Sequence, residues 1–394
     1  MRNKQRAWGL LILSLCVFAL QGCFGIGASG PSTKTVGTNS SGNTVSVAQN
    51  AFSGKIYATI GHNLYVITGD GSSKKLVSGG NIYDPAVSPN GKTVVFVARS
   101  KDYSDLDEIP ASGGTVHTLL SGNGKYRYNS GGFLYSTYHW FFKPAWSPDG
   151  SKIVFLSDYG KNRRQCQAQN AYLLDLEVFM IAVNNPKLVT AAAYAIFGGG
   201  GDSDPSFNPT DANQIVYTYY ADITSDGSQQ TVQIMLSDPR LVTQYPTTYC
   251  QGTVNSGVAI TNKKDQDIQP AYSPDGKSLA YVRDESATMD GIYIMSLPTG
   301  VTTTPLDTTT QQKALMPYKK AVKLLENTYV SRPTWSPDGK QMAYLVEGNE
   351  ELDLWVTTLS YDATAGKYSV KGSPVQVTSG GIDGDSRFDW FQTR

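Results

Sequence analysis

A short motif recurs along the chain at nearly regular intervals, and this repeat restricts the possible folds more than any other feature. Each copy begins with proline and runs through a small or aromatic residue into Ser-Pro-Asp-Gly or a close variant. Successive copies start 59, 61, 65 and 63 residues apart. A period of this size is typical of propeller blades or solenoid units. The five copies occupy residues 85–91, 144–150, 205–211, 270–276 and 333–339.

Each repeat has the pattern of four short strands. Ser-Pro-Asp-Gly favours a tight turn, because proline presets φ and both aspartate and glycine tolerate the positions that follow. The turn leads into a strand with alternating apolar positions, such as Val94 and Phe96. Third strands are predicted at 178–182, 292–296 and 354–358, and a Leu/Val-Thr/Ser pair ends the fourth strand. Four antiparallel strands per repeat predict one propeller blade.

The two ends of the repeat region complement each other. Residues 55–78 supply strands two to four of a blade, whereas residues 385–391 supply only a first strand. The last strand is therefore expected to pair with the first blade and close the ring, which leaves no long exposed sheet edge. The sequence predicts an all-β, six-bladed propeller of four-stranded antiparallel blades over residues 51–394.

The first 23 residues resemble a bacterial lipoprotein signal. Three basic residues precede an apolar core at 10–20, which at 11 residues is too short to span a membrane. The sequence Leu-Gln-Gly-Cys23 then resembles a lipobox. We expect residues 1–22 to be a signal peptide and Cys23 to carry lipid. The alternative is an ordinary signal peptide with an incidental cysteine.

Residues 23–50 are rich in Gly, Ser, Thr and Asn and contain one charged side chain, Lys34. Such a composition predicts a flexible tether between the lipid and the propeller. Phe24 occupies the position where the inner-membrane retention signal of lipoproteins has aspartate. The expected location is therefore the cell envelope, with the protein anchored in the outer membrane and facing the periplasm or the cell surface.

Charge and histidine content limit the possible functions. Lys and Arg number 33, as do Asp and Glu, so bulk electrostatics does not favour binding to nucleic acid. The three histidines, at 62, 117 and 139, show neither H-E-x-x-H nor close pairing. No G-x-S-x-G elbow is present. We expect no catalytic residues, no metal centre and no cofactor.

The Pro-x-Trp-Ser-Pro-Asp-Gly repeats resemble the WD40-like PD40 repeats of TolB-type propellers, over residues 54–394. The resemblance implies a propeller and an envelope role in binding partner proteins. TolB has an α/β domain before its propeller, whereas here only the predicted tether is expected between Cys23 and the first strand, so TolB's own role is not expected. Some PD40-type propellers are metal-dependent polysaccharide lyases, so the resemblance also implies an alternative, a carbohydrate-active or glycan-binding surface propeller.

The loop at 126–142 contains eight aromatic residues and few charges. Tyrosine and tryptophan offer rigid contact area with a polar tip, which suits a protein or glycan contact. The alternative is that the rings only pack the loop onto the propeller. The candidate binding residues are Tyr126, Tyr128, Phe133, Tyr135, Tyr138 and Trp140.

Acidic residues recur before the first strand of a blade. Asp202, Asp267 and Asp385 each lie three positions before the motif's proline or its counterpart Phe388, and Asp84 and Asp204 lie one position before it. If they point at the mouth of the central channel, they could bind a cation or a basic peptide. Alternatively, they accept backbone hydrogen bonds that fix the crossings between blades. Arginines at 332 and 387, one position before the proline or its counterpart, could neutralise them.

Residues 310–327 have the pattern of a short helix interrupted by Pro317, with Val322, Leu324 and Leu325 facing inward. This segment also contains the clearest basic cluster of the chain, which we interpret as a solvated face. Its members are Lys313, Lys319, Lys320 and Lys323.

Two cysteines remain after the signal, Cys166 and Cys250. An even pair in an exported protein is compatible with a disulfide. Pairing requires both to lie on one face of the propeller, which holds if 241–243 is a fourth strand. If 258–261 is the fourth strand instead, Cys250 lies on the opposite face.

Together these features predict a lipid-anchored extracytoplasmic propeller that serves as a protein-binding or scaffold module. We expect a partner protein in the envelope, a glycan or cation at the channel mouth, and no nucleic acid.

Overall fold

The protein is an all-β propeller in a computed structural model. The structure describes residues 32–128, 131–132, 134–159, 176–193, 200–222, 230–242, 257–299, 313–348 and 351–392. Six of its sheets have four antiparallel strands each. We number these sheets blades 1–6 along the chain.

Blade 1 contains β29 (Asp389–Phe391), β3 (Lys55–Ile60), β4 (Asn63–Thr68) and β5 (Ser73–Val77). Blade 2 contains β6 (Ile82–Val87), β7 (Thr93–Arg99), β8 (Ser104–Pro110) and β9 (His117–Leu120). Blade 3 contains β12 (Phe141–Trp146), β13 (Lys152–Ser157), β14 (Glu177–Ala182) and β15 (Asn185–Ala191).

Blade 4 contains β16 (Gly200–Asn208), β17 (Asp211–Asp222), β18 (Gln230–Ser237) and β19 (Gly257–Ala259). Blade 5 contains β20 (Gln266–Tyr272), β21 (Ser278–Ser286), β22 (Met289–Ser296) and β23 (Val322–Asn327). Blade 6 contains β24 (Ser331–Trp335), β25 (Gln341–Gly348), β26 (Glu351–Asp362) and β27 (Lys367–Gln376).

The motif forms the turn that its residues predict. In blade 3, Gly150 N donates to Ser147 O over 2.9 Å, and Ser147 Oγ donates to Asp149 Oδ1 over 2.6 Å. Gly150 has φ of +70°, which favours glycine. We call the face that carries these turns, at 88–91, 147–150, 273–276 and 336–339, the turn face. The opposite face, from which the chain crosses to the next blade at 121–140 and 328–330, is the crossing face.

Two repeated aromatic positions hold neighbouring blades together. The motif's tryptophan reaches the preceding blade: Trp146 Nε1 donates to Ala86 O over 3.0 Å, and Trp335 Nε1 donates to Ala271 O over 3.1 Å. A second aromatic lies in the middle of the second strand and is at most 3% exposed. Both faces of each blade are therefore packed against neighbours, and the apolar core lies between blades. These second-strand aromatics are Phe96, Phe155, Tyr217, Tyr281 and Tyr344.

Ring closure by the last strand is confirmed. β29 pairs with β3 through Asp389 and Tyr57, Trp390 and Ile56, and Phe391 and Lys55. The C-terminal and N-terminal parts of the propeller thus share one blade.

The predicted count of six blades is wrong, because a seventh sheet lies beside the closure. It contains β1 (Thr33–Thr38), β2 (Thr44–Ala48) and β28 (Thr378–Ser379), in the order β1-β2-β28. Val45 and Val47 are fully buried in one apolar cluster with side chains of blades 6 and 1. The described propeller therefore has seven such sheets, six of four strands and one of three. We call the last one the N-terminal sheet.

The N-terminal sheet also corrects the predicted tether. Residues 33–48 form β1 and β2, so the folded propeller begins at Thr33 rather than at residue 51. Their polar composition conceals the alternation of valine with threonine and serine at 44–48, which is a strand pattern. Residues 23–31 lie outside the described part of the chain.

The helix predicted at 310–327 is wrong over most of its described length. Residues 318–320 form one turn of 3-10 helix, and Val322–Asn327 is β23, the fourth strand of blade 5. Pairing with β22 determines the conformation of this segment, because a blade without a fourth strand would expose the backbone edge of β22. Residues 310–312 lie outside the described part.

Candidate functional site

The three predicted channel-mouth carboxylates have different surroundings. Asp202 is buried, and Asp267 is fully buried with Arg283 Nε 2.9 Å from its Oδ1. Burial raises the pKa of Asp267, although the contact with Arg283 opposes that shift. Asp385 is exposed instead, with His62 Nε2 3.1 Å away and Arg99 Nη1 3.9 Å away. Within the described part of the chain, no group of three or more His, Cys, Asp or Glu side chains could hold a metal ion.

The aromatic loop presents tyrosines to solvent. Its strands β10 (Tyr126–Tyr128) and β11 (Leu134–Ser136) pair as a two-stranded hairpin on the crossing face. Tyr126 is 60% exposed and Tyr128 is 73% exposed, which makes Tyr128 the most exposed of the large apolar and aromatic side chains described. Tyr138 supports the hairpin, with its ring centroid 5.5 Å from that of Tyr126 and 6.0 Å from that of Tyr103. We call Tyr103, Tyr126, Tyr128 and Tyr138 the tyrosine surface.

The rest of this loop packs against the propeller. The Trp140 ring stacks on Phe142 at 6.0 Å, and the Trp140 amide donates to Asp158 Oδ1 over 2.9 Å. Phe141 is fully buried against Phe155. The last residues of the loop therefore have the packing role, whereas the hairpin leaves Tyr126 and Tyr128 exposed.

Several predicted sites lie outside the described residues: Cys23, Phe133, Cys166, Cys250 and the side chain of Tyr135. However, the structure does describe the fourth strand of blade 4, which decides the connection to which Cys250 belongs. β19 is the fourth strand of blade 4, so Cys250 belongs to the β18–β19 connection, whereas Cys166 belongs to the β13–β14 connection.

The structure brings together six polar residues, of which the sequence hypothesis of a charged channel mouth included two aspartates and two arginines but neither Lys143 nor Gln269. Five lie on the innermost strand of a blade and Arg387 lies two residues before β29, and each is one position before the motif's proline or its counterpart Phe388. In five of the six the backbone has a positive φ of 49° to 55°, a conformation that non-glycine residues rarely adopt. We call these residues the pre-proline ring: Asp84, Lys143, Asp204, Gln269, Arg332 and Arg387.

A bulge produces this conformation in each of the five strands. Between Phe142 and Ala145, for example, the pairing register of β12 shifts, and Lys143 lies within the shift. Residues before proline normally favour extended backbone, so the conformation costs about 1–3 kcal/mol at each position. Arg387, which precedes phenylalanine, is the member without a positive φ. The aligned repeats do give a signal for the ring, because this position is polar in every copy. The bulge itself cannot be recognised from the sequence.

Side chains of the ring cap backbone groups of neighbouring blades. The Asp84 carboxylate accepts the amide of Lys143 over 3.0 Å and that of Arg387 over 2.9 Å, so it connects three blades. Gln269 Oε1 accepts the amide of Arg332 over 2.6 Å. Buried amides that the bulges remove from strand pairing are satisfied in this way.

Asp204 is the electrostatic centre of the ring. One of its oxygens, Oδ1, lies 3.0 Å from Lys143 Nζ, 3.1 Å from Arg387 Nη2 and 3.5 Å from Arg332 Nη1. Burial alone would raise the pKa of Asp204, but the three cations outweigh it and hold that pKa far below its usual range. Burial lowers the pKa of Lys143, which Asp204 opposes. Nearby, burial and the Asp204 charge raise the pKa of Tyr220 to about 12.

A cavity of about 650 Å³ occupies the channel on the turn-face side of the ring. The ring residues Asp204, Gln269, Arg332 and Arg387 line its inner end. Prolines of the turns and aromatic side chains of the innermost strands line the rest. The cavity therefore has concave apolar walls and a few polar groups at one end, the combination that is typical of a small-molecule site.

In the described residues, no helix is long and apolar enough to cross a membrane. No protein-family model and no curated protein sequence matches the chain. The fold is similar to that of TolB from Acinetobacter baumannii, with a TM-score of 0.52 and 17% identity, over 87% of this chain and 67% of that one.

Two further structures show weaker similarity. A putative TolB from Agrobacterium tumefaciens has a TM-score of 0.43 at 15% identity, over 78% of this chain and 87% of that one. An oligogalacturonate lyase in complex with manganese has a TM-score of 0.46 at 12% identity, over 86% and 83%. The similarity to the Acinetobacter baumannii structure, together with the blade arrangement, shows a TolB-like propeller fold, and membership of the PD40 repeat family stays a prediction.

Proposed function

We propose that this propeller is a protein-binding module and that the tyrosine surface is its contact site. The observation that carries the proposal is the exposure of Tyr126 and Tyr128, at 60% and 73%, on a hairpin that projects from the crossing face. Tyrosine is enriched among the residues that dominate binding energy, because its ring is large, rigid and polar at one end. Rings left this open are available to a partner.

The support beneath the hairpin favours a preformed contact. Tyr138 lies between Tyr126 and Tyr103, with ring centroids at 5.5 Å and 6.0 Å. At the base of the hairpin, Lys125 N donates to Thr137 Oγ1 over 2.9 Å, and that hydroxyl donates to Lys125 O over 3.0 Å. A partner would therefore have less side-chain and loop entropy to remove on binding.

The setting of this module belongs to the proposal as well. The signal-like residues 1–22 and the lipobox cysteine support a lipid-anchored protein of the cell envelope, with outer-membrane anchoring and a periplasmic or surface-exposed propeller. The TolB-like fold supports a scaffold role there, and the candidate partner is an envelope protein.

The test is crosslinking of the full-length protein in its own cells, with a Tyr126→Ser/Tyr128→Ser variant. The matched control is Tyr361→Ser, which removes a tyrosine 55% exposed on blade 6. We expect a specific crosslinked protein with the parent and the control but not with the double variant. A crosslinked partner that persists in the double variant contradicts the proposal. If an added polysaccharide competes with the protein partner and abolishes the crosslink, the result supports the alternative, a glycan-binding propeller.

A further inference from the structure

A second cavity is a groove between blades 5 and 6, with a volume of about 560 Å³. One of its walls is the segment before β23, which contributes Met316, Pro317 and Lys320. The other wall is the tip of the β26–β27 hairpin, with Tyr361 and residues 365–368. The start of β21 and the end of β22 form the floor between the two walls. We call this site the inter-blade groove.

The strand register places the inter-blade groove on the turn face. Ser278 and Ser296, which lie in its floor, pair with each other next to the turn of blade 5. In blade 6, the pairing of β25 with β26 begins at Gln341 and Thr358, next to the turn. The hairpin at 359–370 therefore extends beyond β25 and forms a projecting wall. The tyrosine surface is on the opposite face of the propeller.

Each wall carries an exposed apolar or aromatic side chain. Met316 is 48% exposed and Tyr361 is 55% exposed, and they are two of only eight large side chains of this kind that are exposed among the described residues. Tyr368 supports the hairpin wall, with its ring centroid 4.7 Å from that of Tyr361 and 5.1 Å from that of the buried Trp335. Methionine and aromatic residues are enriched at protein interfaces, and a supported wall loses little entropy when a ligand binds.

The charge of the lining is positive. Its charged residues in the described part of the chain are Lys320 and Lys367. Both are exposed, and neither forms an ion pair with another described residue. The two lining charges remain in excess, because three exposed lysines around the groove offset the three carboxylates of the adjoining turns. These are Lys277, Lys319 and Lys340 against Asp275, Asp338 and Asp362.

The combination of walls and charge favours one class of ligand. An inorganic anion or an acidic polysaccharide would meet the two lysines but leave Met316 and Tyr361 uncovered. An uncharged apolar ligand would cover the walls but leave Lys320 and Lys367 without partners. A peptide with an apolar side chain between acidic ones is complementary to both features.

We propose that the inter-blade groove binds an acidic peptide segment of a partner protein. An apolar side chain of the segment lies between Met316 and Tyr361, and carboxylates on either side of it pair with Lys320 and Lys367. This site is independent of the tyrosine surface, because the two lie on opposite faces of the propeller.

The test is the fluorescence anisotropy of three labelled peptides titrated with the full-length protein. We expect Glu-Glu-Leu-Glu-Phe-Glu-Glu to bind with one site per chain, and its affinity to fall as ionic strength rises. The second peptide has glutamine in place of every glutamate, and the third has serine in place of leucine and phenylalanine. Each of these two should bind more weakly by about tenfold or more.

Variants of the groove test the two features separately. Lys320→Gln/Lys367→Gln should weaken binding of the first peptide by about threefold to tenfold, and Met316→Ser by about tenfold. The matched control for charge is Lys55→Gln/Lys92→Gln, which removes two exposed lysines of the turn face outside the groove and should bind like the parent. All four lysines are exposed, and circular dichroism shows whether each variant is folded.

Three results would each overturn the proposal: equal affinity for the first and third peptides, no binding of the first at millimolar concentration, or full affinity in the Lys320→Gln/Lys367→Gln variant. Tyr361→Ser should weaken binding of the first peptide but leave the crosslink at the tyrosine surface unchanged. Failure of this site can therefore be distinguished from failure of the tyrosine surface.

Discussion

Replacement of Asp204 by asparagine should destabilise the propeller more than other single changes of charge. The carboxylate is buried, and one of its oxygens faces Lys143, Arg387 and Arg332 at 3.0, 3.1 and 3.5 Å. Asparagine retains the shape but leaves three buried cations without this counter-charge. Loss of one partner of a buried ion pair costs about 3–5 kcal/mol, and we expect the free energy of unfolding to fall by that amount.

Lys143 gives this prediction a pH signature. Burial already lowers the pKa of Lys143 in the folded protein, and loss of the Asp204 charge would lower it further. A lysine with a lowered folded pKa destabilises the fold below that pKa, and the penalty disappears as pH rises towards the unfolded value of about 10.4. The deficit of Asp204→Asn relative to the parent should therefore be larger at neutral pH than near pH ~10.

Urea unfolding followed by circular dichroism at both pH values measures the effect. Asp102→Asn is the matched control, because Asp102 is exposed and its removal should change little. Adding Lys143→Met to Asp204→Asn should recover part of the loss, since one of the stranded charges is removed. A deficit for Asp204→Asn below about 1 kcal/mol, or one that widens with pH, would show that the ring is not held by these ion pairs.

Three further changes test other parts of the fold. Gly150→Ala should lower the free energy of unfolding by about 1–2 kcal/mol in urea titrations, because φ is +70° there, whereas Gly348→Ala, at a position without positive φ, should cost less. Trp390→Phe removes a 2.7 Å indole hydrogen bond to Ser53 O beside β3, so hydrogen exchange should accelerate first in blade 1. Intact-mass measurement with and without reductant should show Cys166 and Cys250 unpaired, because the connections that contain them leave opposite faces of the propeller.

The repeated motif makes the blades predictable from the sequence. Polar or mixed composition hides the strands in segments that do not carry the motif. The turn residues and the alternating second strands place five of the six four-stranded sheets, because both depend on local geometry that recurs in each copy, and the complementary ends of the repeat region place blade 1. The patterns at 33–48 and 322–327 mislead, since these polar or mixed segments acquire strand structure only by pairing with other segments. Burial of Val45 and Val47 by blades 6 and 1 is a long-range effect of this kind.

The candidate sites also have features that the sequence predicts and features that depend on contacts between distant segments. Aromatic density at 126–142 singles out the loop from the sequence, but only the structure separates the exposed Tyr126 and Tyr128 from the packed Trp140. Spacing alone groups the aspartates at 202, 267 and 385, but their surroundings differ because neighbouring strands supply different partners. The pre-proline ring depends on the bulges, and proline after each position argues for extended backbone instead.

The N-terminal sheet changes how an anchored propeller would meet its partners. If Cys23 carries lipid as proposed, nine residues separate it from β1, rather than the 27 of the predicted tether. A fully extended chain spans about 3.3–3.6 Å per residue, so nine residues reach roughly 30 Å at most. Under the proposed anchoring, the start of β1 would then lie within roughly that distance of the bilayer. If both the lipid anchor and the tyrosine contact site hold as proposed, a partner would have to approach the membrane, which would favour another envelope-bound protein over one that diffuses freely.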